Sequence, residues 1–384
     1  MDRPDAARLG LTTPPGSPRV LIVHEWLVAW AGSERVVEQL LAAFPGADLV
    51  AGVVAPAMRN FNGVTRRARE SWLGKLPGAR AHHRWFLPLH PLAFASVDTR
   101  GYDLVISSSH AFAKAVRVHP PAVHVCMCYS PPRYLWGLQD QYRGGGAAQS
   151  LGLTVMGPAL RAVDRRAARG VDHFIAISDF VRERIARAYG RESEVIHPPV
   201  SPRAVEARRG AARGDYLLTL GRLVPYKRVE LAIAAAALAG MKLVVAGDGP
   251  ERGRLEAIAG PGVEFRGEVS EREAGELLEG CRAFVFCAEE DYGIAPIEAN
   301  AHGAPVVGFA RGGLLETMVP GVTAEFFDRQ EPEAVAEALR RAMARGWDDA
   351  ALRGNAARFA PAAYRERVRI ACLGALGRGT ARPG

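Results

Sequence analysis

Short apolar stretches alternate with helical stretches along most of this 384-residue chain, and they do so in two separate runs. That alternation constrains the fold more than any other feature. In the first run, Arg19–His24, Tyr102–Ser107, Val123–Cys128 and Phe174–Ile177 read as buried strands. Helices are expected at Glu34–Phe44, with Val36, Val37, Leu40 and Leu41 at helical spacing, and at Val181–Tyr189. The run stops at Pro198-Pro199. The second run places strands at Tyr216–Leu220, Lys242–Ala246, Val263–Phe265, Ala283–Cys287 and Pro305–Gly308. Between and after them, helices are expected at Val229–Ala239, Glu251–Ala259, Glu271–Glu279, Ile297–Ala301 and Pro332–Arg345. Strand–helix alternation implies α/β architecture, with parallel sheets covered by helices on both faces. Two runs imply two Rossmann-like domains with a cleft between them. The expected division is a flexible leader at 1–18, a first domain at 19–200, a linker at 201–214 and a second domain at 215–358. A final helical segment and tail occupy 359–384, with the helix at Ala362–Leu376.

Charge narrows the function. The chain carries 49 Lys+Arg and 41 Asp+Glu, a net charge of +8. Residues 51–150 alone hold 12 bases and 4 acids, an excess equal to that of the whole chain, whereas residues 201–384 balance at 25 and 25. A localised excess with no recognisable nucleic-acid motif argues against a nucleic-acid partner. Five cysteines without a Cys-x-x-Cys pair indicate neither a zinc site nor a disulfide framework, and they read as small buried hydrophobes. No apolar run reaches the ~18 residues of a membrane helix. The polar start, Met1 to Pro18, lacks the apolar core of a signal peptide, so a cytoplasmic location is expected.

In open parallel sheets, ligands bind beyond the C-terminal strand ends. After Tyr216–Leu220 come Gly221, Arg222 and Lys227, the last a lysine in a chain with 45 Arg and only 4 Lys. Two cations on one loop before a helix suit a diphosphate, although a solvated loop would show the same residues. After Lys242–Ala246, Gly247-Asp248-Gly249-Pro250 is a tight turn whose spacing fails Gly-x-Gly-x-x-Gly, which argues against NAD. After Ala283–Cys287, Glu290 and Glu298 are separated by seven residues, with Glu298 expected in the first turn of the next helix. These carboxylates could hold hydroxyls of a sugar and a ribose, and Gly293 and the helix amides could approach a phosphate. A simpler reading is an acidic cluster complementing the helix dipole.

The stretches GRLVPYKRVELAI, VVAGDGPERGRLE, VEFRGEVS and EEDYGIAPIEANAHGAPVVGFARGGLLETMVPGVTAEFF resemble glycosyltransferase family 4, whose members are retaining enzymes of the GT-B fold. In the first half, HEWLVAWAGSERVVEQL, SSSHAFAKAV, VHVCMCYSPPRYLW and FIAISDFVRERIARAYGRESEVIHPPV resemble a branch using GDP-mannose in O-antigen and exopolysaccharide assembly. The resemblance covers nearly residues 19–376. It implies that Arg222 and Lys227 bind the donor diphosphate. Glu290 would contact sugar hydroxyls, with Asp291, Tyr292, Gly293 and Ile294 offering backbone amides. It further implies Glu298 on the ribose, Phe265 to Val269 beside the base, and Gly32 near the phosphates. Ser130, Arg133, Gly221 and Gly249 complete the expected substrate-binding set, and the segment from Phe359 would return to the first domain. No Asp-x-Asp motif is present, and neither metal nor cofactor is expected.

Two departures from the family pattern stand out. Ala31-Gly32-Ser33-Glu34 replaces the usual Gly-Gly-Ala-Glu, and Tyr129 stands where relatives place a histidine. Tyrosine, with an ordinary pKa near 10, is a poor base at neutral pH, so an altered acceptor or sugar is expected. His110 is the remaining histidine candidate. Residues 66–100 mix Arg66, Arg67, Arg69, Lys75, Arg80 and Arg84 with Trp72, Leu73, Leu76, Trp85, Phe86, Leu87 and Leu89. That mixture suits peripheral contact with anionic lipid at the inner face of the plasma membrane, or a core helix pair with snorkelling arginines. The expected function is transfer of a hexose, mannose from GDP-mannose being favoured, to a lipid-linked or glycan acceptor. A UDP-sugar-dependent transferase acting on a small natural product and an inactive nucleotide-sugar-binding scaffold are the alternatives.

Overall fold

A computed structural model of the chain describes residues 17–137, 147–201, 204 and 213–380. The leader, except for Ser17 and Pro18, and most of the linker lie outside the described residues. The chain forms two compact units, residues 1–197 with 364–384 and residues 198–363.

The first unit is built on a seven-stranded sheet. Its strands are β1 (Val20–Leu27), β2 (Asp48–Val54), β3 (Ala68–Glu70), β4 (Leu104–Ser109), β5 (Val123–Cys128), β6 (His173–Ala176) and β7 (Glu194–Val195). The order is β3-β2-β1-β4-β5-β6-β7, with every pair parallel. Its helices are α1 (Gly32–Ala43), α2 (Gly63–Arg67), α3 (His90–Ala95), α4 (Ala147–Arg169) and α5 (Asp179–Tyr189). Both faces of the sheet are covered, so β4 and β5 are buried along their whole length.

Several elements here differ from expectation, among them β1, β2 and α4. β1 runs three residues past His24, through Glu25 and Trp26, which looked like the end of an apolar run. β2 was not anticipated, because Gly52 in its middle breaks the β-branched pattern. A Cβ at Gly52 would overlap Glu25 O and crowd the Phe94 ring, so only glycine fits there. The long α4 also escaped notice, since Pro158 interrupts its sequence pattern.

The second unit has a six-stranded parallel sheet of β8 (Tyr216–Leu220), β9 (Lys242–Ala246), β10 (Val263–Gly267), β11 (Ala283–Phe286), β12 (Val306–Phe309) and β13 (Ala324–Phe327). Their order is β10-β9-β8-β11-β12-β13. Its helices are α6 (Val229–Ala239), α7 (Arg252–Ile258), α8 (Glu271–Gly280), α9 (Ile294–Ala301), α10 (Leu314–Thr317), α11 (Pro332–Ala344) and α12 (Asp349–Ala357). A core of Leu217, Leu243, Val245, Val285, Val307, Val335 and Leu339 joins the sheet to α6 and α11. A last helix, α13 (Pro361–Thr380), is longer than the expected Ala362–Leu376, and from Tyr364 onward it belongs to the first unit. There the Arg365 guanidinium donates to Gln39 Oε1 at 2.9 Å, and Arg367 donates to Val195 O at 2.8 Å.

In both sheets the connections reverse direction next to the first strand of the series, between β1 and β4 and between β8 and β11. Such switch points open a crevice at the strand ends where ligands bind. All five cysteines are free and buried.

Candidate active site

In the second unit, the loops after β8 and β11 bring Lys227 and Glu290 into direct ion-pair contact. Both are mostly buried, with side chains 20% and 15% exposed. The Lys227 ammonium also lies 5.5 Å from the Phe286 ring centre and 5.9 Å from that of Tyr226, so aromatic faces flank the charge. Lys227 closes a short 3₁₀ turn, Pro225–Lys227. The turn is held by Arg228, which donates to Glu230 Oε1 and to Gln330 Oε1, while Gln330 donates to Cys287 O at 2.7 Å. The loops after β8 and β11 are thus fixed to each other. Arg222, by contrast, is exposed and makes no hydrogen bond or ion pair among the described residues.

The remaining expected donor-site residues sort by what the fold does with them. Gly221 and Gly249 serve backbone packing: the Leu223 amide donates to Asp248 O, and the Gly221 amide to Ala246 O. A Cβ at Gly249 would overlap Leu223 O, which explains the tight turn without any ligand. Gly293 caps α9 with φ +84°, and Ile294 opens the helix. Glu298 falls in the second turn of α9, not the first, because the helix begins at Ile294. With no acidic residue in its first turn, α9 does not fit the simple helix-dipole reading of the cluster. The Asp291 side chain is buried, and the Tyr292 hydroxyl donates to Pro198 O at 2.7 Å while its ring meets Phe359. The Tyr292 side chain is therefore structural, leaving only its backbone for a ligand. Phe265 packs partly against the core, and Val269 is half-buried on the loop after β10.

In the first unit, Gly32 opens α1, whose first turn is closed by Glu34. The Glu34 carboxylate accepts from the Ala31 amide at 3.1 Å and from Ser33 Oγ at 2.9 Å. His110 follows β4, and its ring lies edge-on to Trp26 at 4.7 Å and tilted to Tyr129 at 6.1 Å. Burial pushes the His110 imidazole below its ordinary pKa, against the pull of the Glu25 carboxylate, which keeps it neutral. Ser130 is buried and accepts from Arg184 Nε at 3.2 Å, tying the chain after β5 to α5. Arg133 is half-buried in the turn that follows.

The residues that organise this end of the sheet were not singled out beforehand. Glu25 is fully buried, and one of its oxygens accepts from Ser109 Oγ and from the amides of His110, Ala111 and Ala113 at 2.8–3.2 Å. Burial opposes its ionisation, but the amides of Ala111 and Ala113 hold the carboxylate ionised. A second hub lies behind it. Lys114 pairs with Asp164 at 2.6 Å, both fully buried, and Asp164 also accepts from Trp136 Nε1 and the Tyr189 hydroxyl. A charged pair, His24-Glu25, inside an otherwise apolar strand was the signal that could have revealed the first hub, since buried charge needs partners.

Segment 66–100 is more inward-facing than expected. Leu73 is fully buried, Arg80 pairs with Glu70, Arg67 donates to Pro45 O and Ala47 O, and Arg69 donates to the Tyr102 hydroxyl. What faces solvent is Trp85 (80% exposed), Leu92 (62%) and Trp72 (38%), with Arg66, Lys75 and Arg84 also exposed.

Two family descriptions match the sequence, "Glycosyltransferase Family 4" over residues 30–204 and "Glycosyl transferases group 1" over residues 206–360. A GDP-mannose-dependent alpha-(1-6)-phosphatidylinositol monomannoside mannosyltransferase of Mycobacterium tuberculosis is 30% identical over 324 residues, 70% of this chain and 82% of that protein. The chain belongs to glycosyltransferase family 4. The dimannoside mannosyltransferase of the same organism is 32% identical over 197 residues, covering 47% of this family 4 chain and 51% of that relative, about half its length. The crystal structure of Anabaena HepE in complex with UDP superposes with a TM-score of 0.65 at 16% identity, covering 91% of this chain and 98% of that one, which supports the GT-B fold. The chain accordingly shares its family with mannosyltransferases. No helix among the described residues is long and apolar enough to cross a membrane.

Proposed function

We propose that the chain is a retaining mannosyltransferase that takes mannose from GDP-mannose and adds it to a lipid-linked saccharide or another glycan. The observation that carries this reading is its likeness to GDP-mannose-dependent mannosyltransferases, one of them matched over 82% of its length. The Lys227–Glu290 contact at the β8/β11 switch point supports it. Breaking the C1–O bond places growing negative charge on the departing diphosphate and positive charge on the sugar ring. Arg222 and Lys227 stabilise the first, the kind of electrostatic effect that dominates many enzymes. Glu290 orients sugar hydroxyls, and the amides of Asp291 to Ile294 approach the phosphates. Glu298 takes the ribose, Phe265 and Val269 border the base, and Gly32 admits the phosphates close to α1. The acceptor lies against the first unit, near His110, Tyr129, Ser130 and Arg133. Trp72, Trp85 and Leu92, with the cations beside them, touch anionic lipid at the inner face of the membrane.

A thermal-shift screen of nucleotide sugars tests the donor. GDP-mannose at a hundredfold excess over Kd stabilises the protein by about 2.7 kcal/mol. Stabilisation by UDP-sugars and not by GDP-mannose would favour the second reading, a UDP-dependent hexosyltransferase, which the UDP complex of HepE motivates.

A further inference from the structure

Two large aromatic rings stand together at the carboxyl ends of β1 and β2. Trp30 lies on the loop after β1, and Phe61 on the loop after β2. These strands are direct parallel neighbours, with Leu27 opposite Val54. The ring centres are 5.8 Å apart and the ring planes tilted by 39°. Trp30 is half-buried against the cluster of Leu27, Ala51, Val54 and Met58, whereas Phe61 is 56% exposed. A single exposed apolar side chain is ordinary. This pair instead forms one shallow aromatic surface, at the end of the sheet where ligands of such folds bind.

The loops beneath the rings are tied down. The Ala55 amide donates to Leu27 O at 2.8 Å and joins one loop to the other. Within the second loop, the Met58 amide donates to Ala55 O at 2.9 Å and the Phe61 amide to Met58 O at 3.2 Å. Asn62 Oδ1 accepts from the amides of Val64 and Thr65, which fixes the loop to α2. Asn60, beside Phe61, is exposed and has φ +62°, a left-handed conformation that asparagine tolerates. The sequence neighbours of the two rings are uncharged: Ala29 and Ala31 for Trp30, Asn60 and Asn62 for Phe61. Arg59 is committed to Glu70 at 2.6 Å. A contact with anionic lipid calls for free cations, as around Trp85. Aromatic faces beside neutral amides suit a neutral polyol. The C–H groups on one face of a pyranose are polarised by its oxygens and drawn to the negative face of an aromatic ring, while an amide meets its hydroxyls.

We propose that Trp30 and Phe61 form a saccharide subsite of the first unit, stacking on a sugar ring of the acceptor glycan while Asn60 hydrogen-bonds its hydroxyls. The inference rests on the reading above of a transferase whose acceptor lies against the first unit. The subsite binds the acceptor and touches none of the reacting atoms, and every residue in it belongs to the first unit. Phe61 projects from the surface, so truncating it removes a binding face without opening the core. Trp30 is partly seated in the cluster below, and Trp30→Phe keeps an aromatic face there.

Saturation-transfer NMR and calorimetric titration of the full chain with mannotriose and maltotriose, without any nucleotide sugar, test the subsite. Saturation should pass to the ring C–H protons of a bound saccharide. Trp30→Ala and Phe61→Ala should each weaken Kd by about 2–10-fold. Trp30→Phe should recover most of that loss, and Ile370→Ala, at an exposed apolar position on α13, should leave Kd unchanged. If Trp30→Ala lowers the melting temperature, Phe61→Ala decides alone. Two results overturn the subsite: no saccharide bound by the wild type, or a wild-type Kd in the folded alanine variants. A third is loss of binding to phosphatidylglycerol vesicles in Trp30→Ala with saccharide binding kept, which would give the rings to lipid. Maltotriose bound in place of mannotriose, with the same dependence on Trp30 and Phe61, supports the subsite and counts against mannose as the sugar it holds. The donor is read separately by the nucleotide-sugar screen, so failure of the subsite and failure of the donor assignment are distinguishable.

Discussion

The two switch points have the same strand order and treat charge in opposite ways. At β8/β11 the charges stay near solvent: Arg222 is exposed, and Lys227 and Glu290 are paired but partly accessible. At β1/β4 they are sealed: Glu25 is held by backbone amides, Lys114 by Asp164, and His24 sits between Glu34 and Ser108. A paired, accessible charge can be exchanged for a charged ligand. A buried, paired charge fixes loop geometry, and its removal leaves an uncompensated partner. Rate should therefore be most sensitive in the second unit, and stability in the first.

The largest expected effect tests the sealed side. Asp164→Ala leaves the Lys114 ammonium buried and unpaired and strips acceptors from Trp136 and Tyr189. The first unit should lose about 3–5 kcal/mol, read by chemical denaturation. A loss below about 1 kcal/mol would mean that the hub is far more hydrated than its burial implies. Next, Lys227→Ala should slow transfer by about 10²–10³-fold while leaving the melting temperature nearly unchanged. Wild-type turnover would break the assignment of the open side to the chemistry.

The third test uses acid. His124, fully buried on β5, accepts from Ser107 Oγ through Nε2 and donates from Nδ1 to Gly170 O, so it is neutral when folded. Burial lowers its pKa to about 4 from 6.5. The unfolded chain takes up a proton between those values and the folded chain does not. Stability should therefore fall as pH drops from 6.5 to about 4 and level off below, by about 3 kcal/mol from this group. His124→Gln should flatten that slope in melting experiments across the same window. The smallest effect is at the periphery. Trp85→Ala should weaken binding to anionic vesicles by a few-fold, and added salt should weaken it further. Wild-type binding that ignores both changes would remove the lipid contact from the functional reading.

The open site was the legible one. Arg222, Lys227 and Glu290 follow apolar strands directly and Glu298 lies on the helix after one, where spacing and strand-end logic reach them, and the parallel architecture follows from the same alternation. The sealed site was obscure because its signals look like strand ends. Glu25 seemed to terminate β1, whereas the amides of the loop after β4, distant in sequence, make its charge tolerable. Gly52 hid β2 for a similar reason, since the close approach of Glu25 O and Phe94 that demands glycine is tertiary. Tyr292, expected to offer a backbone amide, turns its side chain inward onto Pro198, a tertiary contact that a ligand-loop motif does not reveal.

The scarcity of lysine has a practical consequence for probing the molecule. Of the four lysines, Lys114 is sealed against Asp164, Lys227 sits in contact with Glu290, and Lys75 and Lys242 are exposed, one on each unit. Acylating reagents and lysine-directed cross-linkers thus meet few side-chain amines, and the guanidinium groups that carry most of the positive charge do not react with them. Lys75 and Lys242 become natural attachment points for a pair of reporters, one per unit. Slow acylation at Lys227 becomes a direct gauge of whether the proposed donor site is filled.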